Sequence, residues 1–191
     1  MIGISDIDAL IAPGNYGDLW GWHDDHKHED GTERYLPALQ QVRSEYEALL
    51  GVISALPERR SALQLGMGTC RASHDAWRLI FDQVATIDYG GMWLNDGPPQ
   101  SGGSTHDHAA QAFAIIHGPY DMLYIDAGHL EEDCALDHRD YGHLVKAGGL
   151  IVFHDALPRA AYSEIGVYRY LIGLPVTIVG DEVGTAYLTQ K

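Results

Sequence analysis

A chain of 191 residues, 46% of them hydrophobic, is long enough for one well-packed domain and short for two. Twelve Lys and Arg stand against 27 Asp and Glu, a formal net charge of -15. With no basic run longer than Arg59-Arg60, that surface excludes nucleic acid and anionic membranes as expected partners, because phosphate binding is driven by Lys and Arg. Two cysteines, Cys70 and Cys134, fit a reducing cytoplasm. No basic leader precedes an apolar core, and no stretch approaches the roughly 18 apolar residues of a spanning helix.

In chain order, residues 14–34, GNYGDLWGWHDDHKHEDGTER, are polar, Gly-rich and aromatic without a clean period. They read as a loop or cap, so residues 1–35 are expected to form an N-terminal lid segment and residues 36–191 the main domain. Tyr16, Trp20 and Trp22 suit a cover that excludes water. His23, His26 and His28 lack a spacing specific to a metal site. Leu36, Leu39, Val42, Tyr46, Leu49, Leu50 and Ile53 recur at three and four residues, which predicts an amphipathic helix ending before Pro57.

Alternation follows. SALQLG (61–66) is a buried strand, SHDAWRLIFDQ (73–83) a helix and VATID (84–88) a second strand. Residues 89–104, with five Gly and two Pro, read as loop. THDHAAQAFAIIHG (105–118) is helical, with Thr105 as N-cap and Gly118 as stop. DMLYID (121–126) is a strand, residues 130–147 a helix, GLIVFHD (149–155) a strand and residues 163–173 a helix. PVTIVGDEVGTAYLT gives two strands with no room for a crossover helix between them, so the last pair is antiparallel. The fold class is therefore α/β, a Rossmann-like doubly wound, mostly parallel sheet with an antiparallel last strand.

LQLGMGTCRASHD lies between the first strand and its helix, where backbone N–H groups and the helix dipole receive a ligand. The dinucleotide fingerprint would need Gly at 71, which is Arg71, and this disfavours a nicotinamide-dependent reductase. Asp88 ends the second strand, where an acid commonly binds ribose hydroxyls. Two further strands end on acids, Asp126 and Asp155, which can share one hard divalent ion such as Mg²⁺. His154 adds a nitrogen donor that tilts the preference toward Mn²⁺, Fe²⁺ or Zn²⁺, unless it faces away, as strand neighbours do. Against the metal reading, an Asp at a strand end often caps the following helix. Asp137 is expected to face solvent or to support the site from its helix.

Over residues 60–189 the sequence resembles the class I S-adenosylmethionine-dependent methyltransferases, most of all the small branch related to cephalosporin hydroxylase and macrolide-sugar O-methyltransferases. The resemblance is carried by LQLGMGTCRASHDAWRLIF, VATID, YDMLYIDAGHLEEDCALDHRDYGHLVKAGGLIVFHD and, more weakly, GVYRYL. It implies a class I methyltransferase fold, slightly abbreviated between the second strand and YDMLYID. It implies S-adenosylmethionine as cofactor, with Gly66, Met67, Gly68 and Thr69 at its methionine part and Asp88 on its ribose. Ser104, in GGST (102–105), would floor the adenine pocket. Gln64 stands where the family has an acid; it would accept a hydrogen bond from the cofactor's ammonium without adding charge. Cys70 stands where a third glycine is usual. The resemblance implies Mg²⁺ or another divalent metal at Asp126, His154 and Asp155, although position 154 is usually acidic there. His129 is implied as general base, since a hydroxyl on a dication loses its proton readily to an imidazole. The implied reaction is O-methyl transfer to a hydroxylated small molecule, such as a sugar, polyketide or catechol. The departures at Gln64 and Cys70 and the short middle leave open a cofactor-binding protein without transfer activity, and a homo-oligomer is open as well.

Overall fold

The computed structural model describes residues 2–11, 39, 41–68, 72–89, 100–160 and 163–191. Two helices come first, α1 (Ile4–Ile11) and α2 (Arg43–Ser54). Then follow β1 (Ser61–Leu65), α3 (Ala72–Ile80), β2 (Gln83–Asp88), β3 (Gln100–Gly102), α4 (His108–His117), β4 (Tyr120–Ile125) and α5 (Glu131–Tyr141). A 3-10 turn over Gly142–Leu144 leads into β5 (Val145–Phe153), then α6 (Val167–Leu171), β6 (Thr177–Val179) and β7 (Thr185–Thr189).

Among the described residues the strands form one sheet in the order β3-β2-β1-β4-β5-β7-β6. Neighbours from β3 to β5 run parallel, and β7 is antiparallel to both β5 and β6. The short middle expected from the sequence takes the form of a three-residue β3. The central strands read as continuous apolar runs because helices cover both faces. Alternate residues of β4 show this: Met122 and Tyr124 pack with α1, α2 and α3, while Leu123 and Ile125 pack with α4, α5 and α6. Trp77 of α3, fully buried, sits 5.1 Å from the Tyr46 ring and 4.9 Å from the Tyr124 ring. No helix among the described residues is long and apolar enough to cross a membrane.

Several boundaries differ from the sequence-based expectation. α2 starts at Arg43, not at 36: Val42 is extended, and Leu39 is buried ahead of the helix. The N-cap position of α4 is Asp107, not Thr105, which is buried beneath Tyr141. α5 ends at Tyr141 and β5 takes up the chain at Val145, so the helix is shorter and the strand longer than expected. Only Val167–Leu171 is α-helical within 163–173. α1 was not expected at all; its Ile7 is fully buried against α2 and α3. The lid proposed for 14–34 and the boundary at 35/36 fall outside the described residues.

One contact ties the start of the domain to its end. Glu45 of α2 is buried, and its carboxylate accepts the backbone N–H groups of Glu182, Val183 and Gly184 in the β6–β7 turn. A Cβ at Gly180 would fall 2.2 Å from Glu45 Cγ, and φ is +86° there, so glycine is required on both counts. The same turn accepts hydrogen bonds from Ala156 and Leu157 through the carbonyls of Gly184 and Val183. The chain just beyond Asp155 therefore hangs on a loop that Glu45 holds.

Candidate active site

Strand register brings the acids together. Leu65 pairs with Ile125 and Ile125 with Phe153, so the residues after each strand emerge side by side. Asp126 N–H donates to the Leu65 carbonyl and His154 N–H to the Ile125 carbonyl, both one step beyond the paired residues. Gly66, at φ +82°, turns β1 away beneath them; a Cβ on it would lie 1.9 Å from the Asp126 carbonyl oxygen. Asp155 also has positive φ, +57°, and it is the one non-glycine residue so placed among the described residues. That conformation costs energy for a residue with a side chain and recurs at functional sites.

His154 Nδ1 lies 3.0 Å from Asp126 Oδ1 and 3.7 Å from Asp155 Oδ2. The three donor atoms lie within 4.8 Å of one another, and His154 and Asp155 are buried. His154 thus faces the acids. The outer oxygens are occupied: Gln41 Nε2 donates to Asp126 Oδ2 at 3.2 Å, and Arg159 pairs with Asp155 Oδ1. Gln41 is itself held by the buried Tyr124 hydroxyl. One inward oxygen from each carboxylate and one imidazole nitrogen fit a divalent ion, with water or substrate completing the shell.

Burial alone would neutralise these groups, but their mutual charge wins. Burial lowers the pKa of His154, yet the Asp126 charge, the hydrogen bond to Asp126 and the nearby Asp155 carboxylate raise it above its ordinary value. Asp126 is held below the carboxylate range against its own burial, by the charge of His154, the nearby His129 ring and the hydrogen bond from His154. His129 is half-exposed, with Nε2 3.3 Å from Asp155 Oδ2 and 3.8 Å from Asp126 Oδ1. Its pKa is raised, chiefly by its contact with the Asp126 carboxylate.

A cavity of about 440 Å³ adjoins this cluster, lined by Gly66, Gly68, Asp88, Ser104, Asp126 and His129 among others. Those six residues come from four separate strand ends, which is where open α/β sheets bind ligands. Asp88 also accepts the Met67 N–H at 2.6 Å, fixing the turn's shape. Ser104 caps its own loop, receiving the His106 N–H on Oγ.

Two residues expected at the cofactor do not line the cavity. Gln64 is buried on the α3 side of β1, where Nε2 donates to the Gly66 carbonyl and to Ser73 Oγ and Oε1 faces Thr86 at 3.4 Å. It shapes the turn from behind and does not line the cavity. Met67 is buried too, and the cavity is lined by its glycine neighbours. Thr69, with Cys70 and Arg71, lies outside the described residues. Asp137, expected either to face solvent or to support the site from its helix, is fully buried, which rules out the first. Sequence reasoning missed Gln41 and Arg159, which hold the acids, and Tyr89, His106 and Asp133, which line the cavity. Arg159 stands four residues after Asp155, and that spacing was the available signal.

Residues 70–156 match the family model described as a methyltransferase domain. No curated protein matches the chain by sequence. Among solved structures, it is similar to MycE methyltransferase from the mycinamycin biosynthetic pathway in complex with Mg and SAH, at 17% identity and TM-score 0.62, covering 99% of this chain and 53% of that one. It is similar to an O-methyltransferase from Bacillus cereus in complex with SAH, at 15% identity and TM-score 0.56, covering 98% and 90% of the two chains. It is also similar to TomG from Streptomyces achromogenes in complex with SAM, at 18% identity and TM-score 0.54, covering 82% and 84%. The chain spans about half the length of MycE. With a matched methyltransferase domain, that strand order and the reversed β7, the chain has the class I methyltransferase fold and resembles its S-adenosylmethionine-dependent members.

Proposed function

We propose that this protein transfers a methyl group from S-adenosylmethionine to a hydroxyl oxygen of a small molecule, with a divalent cation held by Asp126, His154 and Asp155. One observation carries the reading: a single cavity joins the Gly66–Gly68 turn and Asp88 to His129 and Asp126. The sulfonium's methionine part would lie on the turn and its ribose on the Asp88 carboxylate, which aims the methyl toward the Asp126 end. With the cofactor so held, an acceptor oxygen there would take the methyl carbon as the carbon–sulfur bond breaks, giving an ether and S-adenosylhomocysteine. His129 Nε2 takes the hydroxyl proton, and its contacts with Asp126 and Asp155 stabilise the imidazolium that forms. A cation held by Asp126, His154 and Asp155 would lower the pKa of the acceptor hydroxyl. Alignment of oxygen and methyl supplies the remaining acceleration.

The net charge supports a small-molecule acceptor over a nucleic acid; among the similar folds one MycE structure holds mycinamycin VI, while an rRNA methylase shares the fold as well. Calorimetric titration with S-adenosylhomocysteine, followed by transfer assays on a panel of sugar, polyketide and catechol hydroxyls with and without Mg²⁺ or Mn²⁺, tests the reading. Binding with transfer to one acceptor class is expected. Binding without transfer to any acceptor would favour a cofactor-binding protein, a reading supported by Gln64 being spent on the turn. Tight NAD(H) binding in place of S-adenosylhomocysteine would overturn both.

A further inference from the structure

Asp137 has no part in the chemistry above, yet it is a fully buried carboxylate in the middle of α5. Neither of its oxygens makes a regular hydrogen bond among the described residues. Burial pushes its pKa up to about 6, against the pull of Thr105 and His106, while Asp133 and Asp140 on the same helix push it further up. A lone acid in such a place destabilises a fold, and an apolar residue of similar size would do better. The charged partner within reach is His106, whose Nε2 lies 3.5 Å from Asp137 Oδ1. His106 is about one third exposed, and its exposed part lines the cavity beside Ser104 and Thr105. The backbone under it is fixed from α5 as well, because the Tyr141 hydroxyl donates to the Thr105 carbonyl.

The order of the strand ends places this pair at one extreme of the cavity. Across the sheet, Asp126 and His129 follow β4, Gly66 and Gly68 follow β1, Asp88 follows β2, and Ser104 to His106 follow β3. A cofactor with its reactive methyl at the β4 end and its ribose at Asp88 must extend its base toward the β3 end. A carboxylate facing Nε2 keeps the proton of a neutral imidazole on that nitrogen, so Nδ1 is left as an acceptor. Tautomer control of this kind, by a buried acid behind a histidine, is a general positioning device.

We infer that His106, positioned by the buried Asp137, determines specificity at the base end of the cavity, its Nδ1 accepting a hydrogen bond from the 6-amino group of an adenine-bearing ligand. The inference rests on the cofactor reading above and adds a residue pair to it. Asp137 touches no ligand and acts only through the ring of His106.

The test compares two probes by calorimetry: S-adenosylhomocysteine and its inosyl analogue, in which an oxygen acceptor replaces the 6-amino donor. The unmodified protein should prefer the adenosyl compound by about tenfold or more, the worth of one hydrogen bond made against one acceptor facing another. His106→Ala should bring the ratio close to one while both probes still bind. Asp137→Asn can donate from its amide to Nε2 and so move the ring proton to Nδ1; the ratio should then fall to one or reverse. A role confined to holding the loop would weaken both probes equally and leave the ratio unchanged. An unchanged ratio in both variants, with S-adenosylhomocysteine still bound, overturns the inference alone. Failure of the unmodified protein to bind S-adenosylhomocysteine overturns it together with the cofactor reading.

Discussion

The two ends of β4 each carry an aspartate, and the two have opposite fates. Asp121, at the start, receives the N–H groups of Arg60 and Ser61 on Oδ2, at 2.7 and 2.9 Å, and the Lys146 ammonium on Oδ1 at 2.6 Å. Asp126, just past the end, receives Gln41 on one oxygen and shares the other between two imidazoles. Backbone amides and a lysine are fixed donors, so the Asp121 end is a clamp that joins β1, β4 and β5. Imidazoles can give up and take protons near neutral pH, and the Asp126 end opens on a cavity. What separates structure from chemistry here is the kind of partner each carboxylate has, not its residue type or its burial.

That contrast can be broken in order of effect. His129→Ala should reduce transfer by about 10²- to 10⁴-fold, the usual worth of a general base. S-adenosylhomocysteine affinity should hardly change, and steady-state rates with calorimetry check both. An unaffected rate would remove His129 from the mechanism. Asp121→Ala should do the reverse, lowering stability by about 2–4 kcal/mol in denaturant titration, since two amides and a lysine lose their partner. Cofactor affinity of the folded fraction should stay the same; a large loss would mean the clamp also shapes the site. Glu45→Ala should cost about 1–3 kcal/mol, because three amides lose one acceptor. It should also weaken divalent-ion binding, measured by Mn²⁺ titration, through the loop behind Asp155; unaltered binding would detach Glu45 from the site.

A smaller effect concerns pH. Burial works to raise the pKa of Asp121, but Lys146 and the Ser61 and Arg60 amides outweigh it and lower the value. A depressed carboxylate stabilises the fold above its unfolded pKa, about 3.9, and that contribution fades as pH falls through the lower folded value. The stability gap between the unmodified protein and Asp121→Asn should therefore be constant from pH 5 to 7 and shrink below about pH 4. A gap that widens in acid would mean that Lys146 does not hold the carboxylate.

Much of the frame was legible because parallel strands buried on both faces leave plain apolar runs, so β1, β2 and β4 fell within a residue of expectation. The meeting of Asp126, His154 and Asp155 was legible for a related reason, since neighbouring parallel strands end at the same edge. Side chains that reach the site from outside the sheet left no such trace. Gln41 arrives from the approach to α2, and Arg159 from an irregular segment beyond β5. Gln64 lies off the cavity because its position after Leu63 puts it on the α3 face. The two readings of Asp137 stayed open because EEDCALDHRDY is polar almost throughout, with no apolar stripe to tell the inward face from the outward one.

The carboxylate of Glu45 gives the fold a timetable. Its amide partners lie 137 to 139 residues further along the chain. At about 5–20 residues per second, a ribosome needs on the order of ten seconds to deliver them after Glu45 appears. Until then the loop behind Asp155 has nothing to rest on, while Asp126 and the glycine turn can already be in place. The half-site that would receive a cofactor can thus form on the nascent chain, and the half that would complete an ion site waits for the last hairpin.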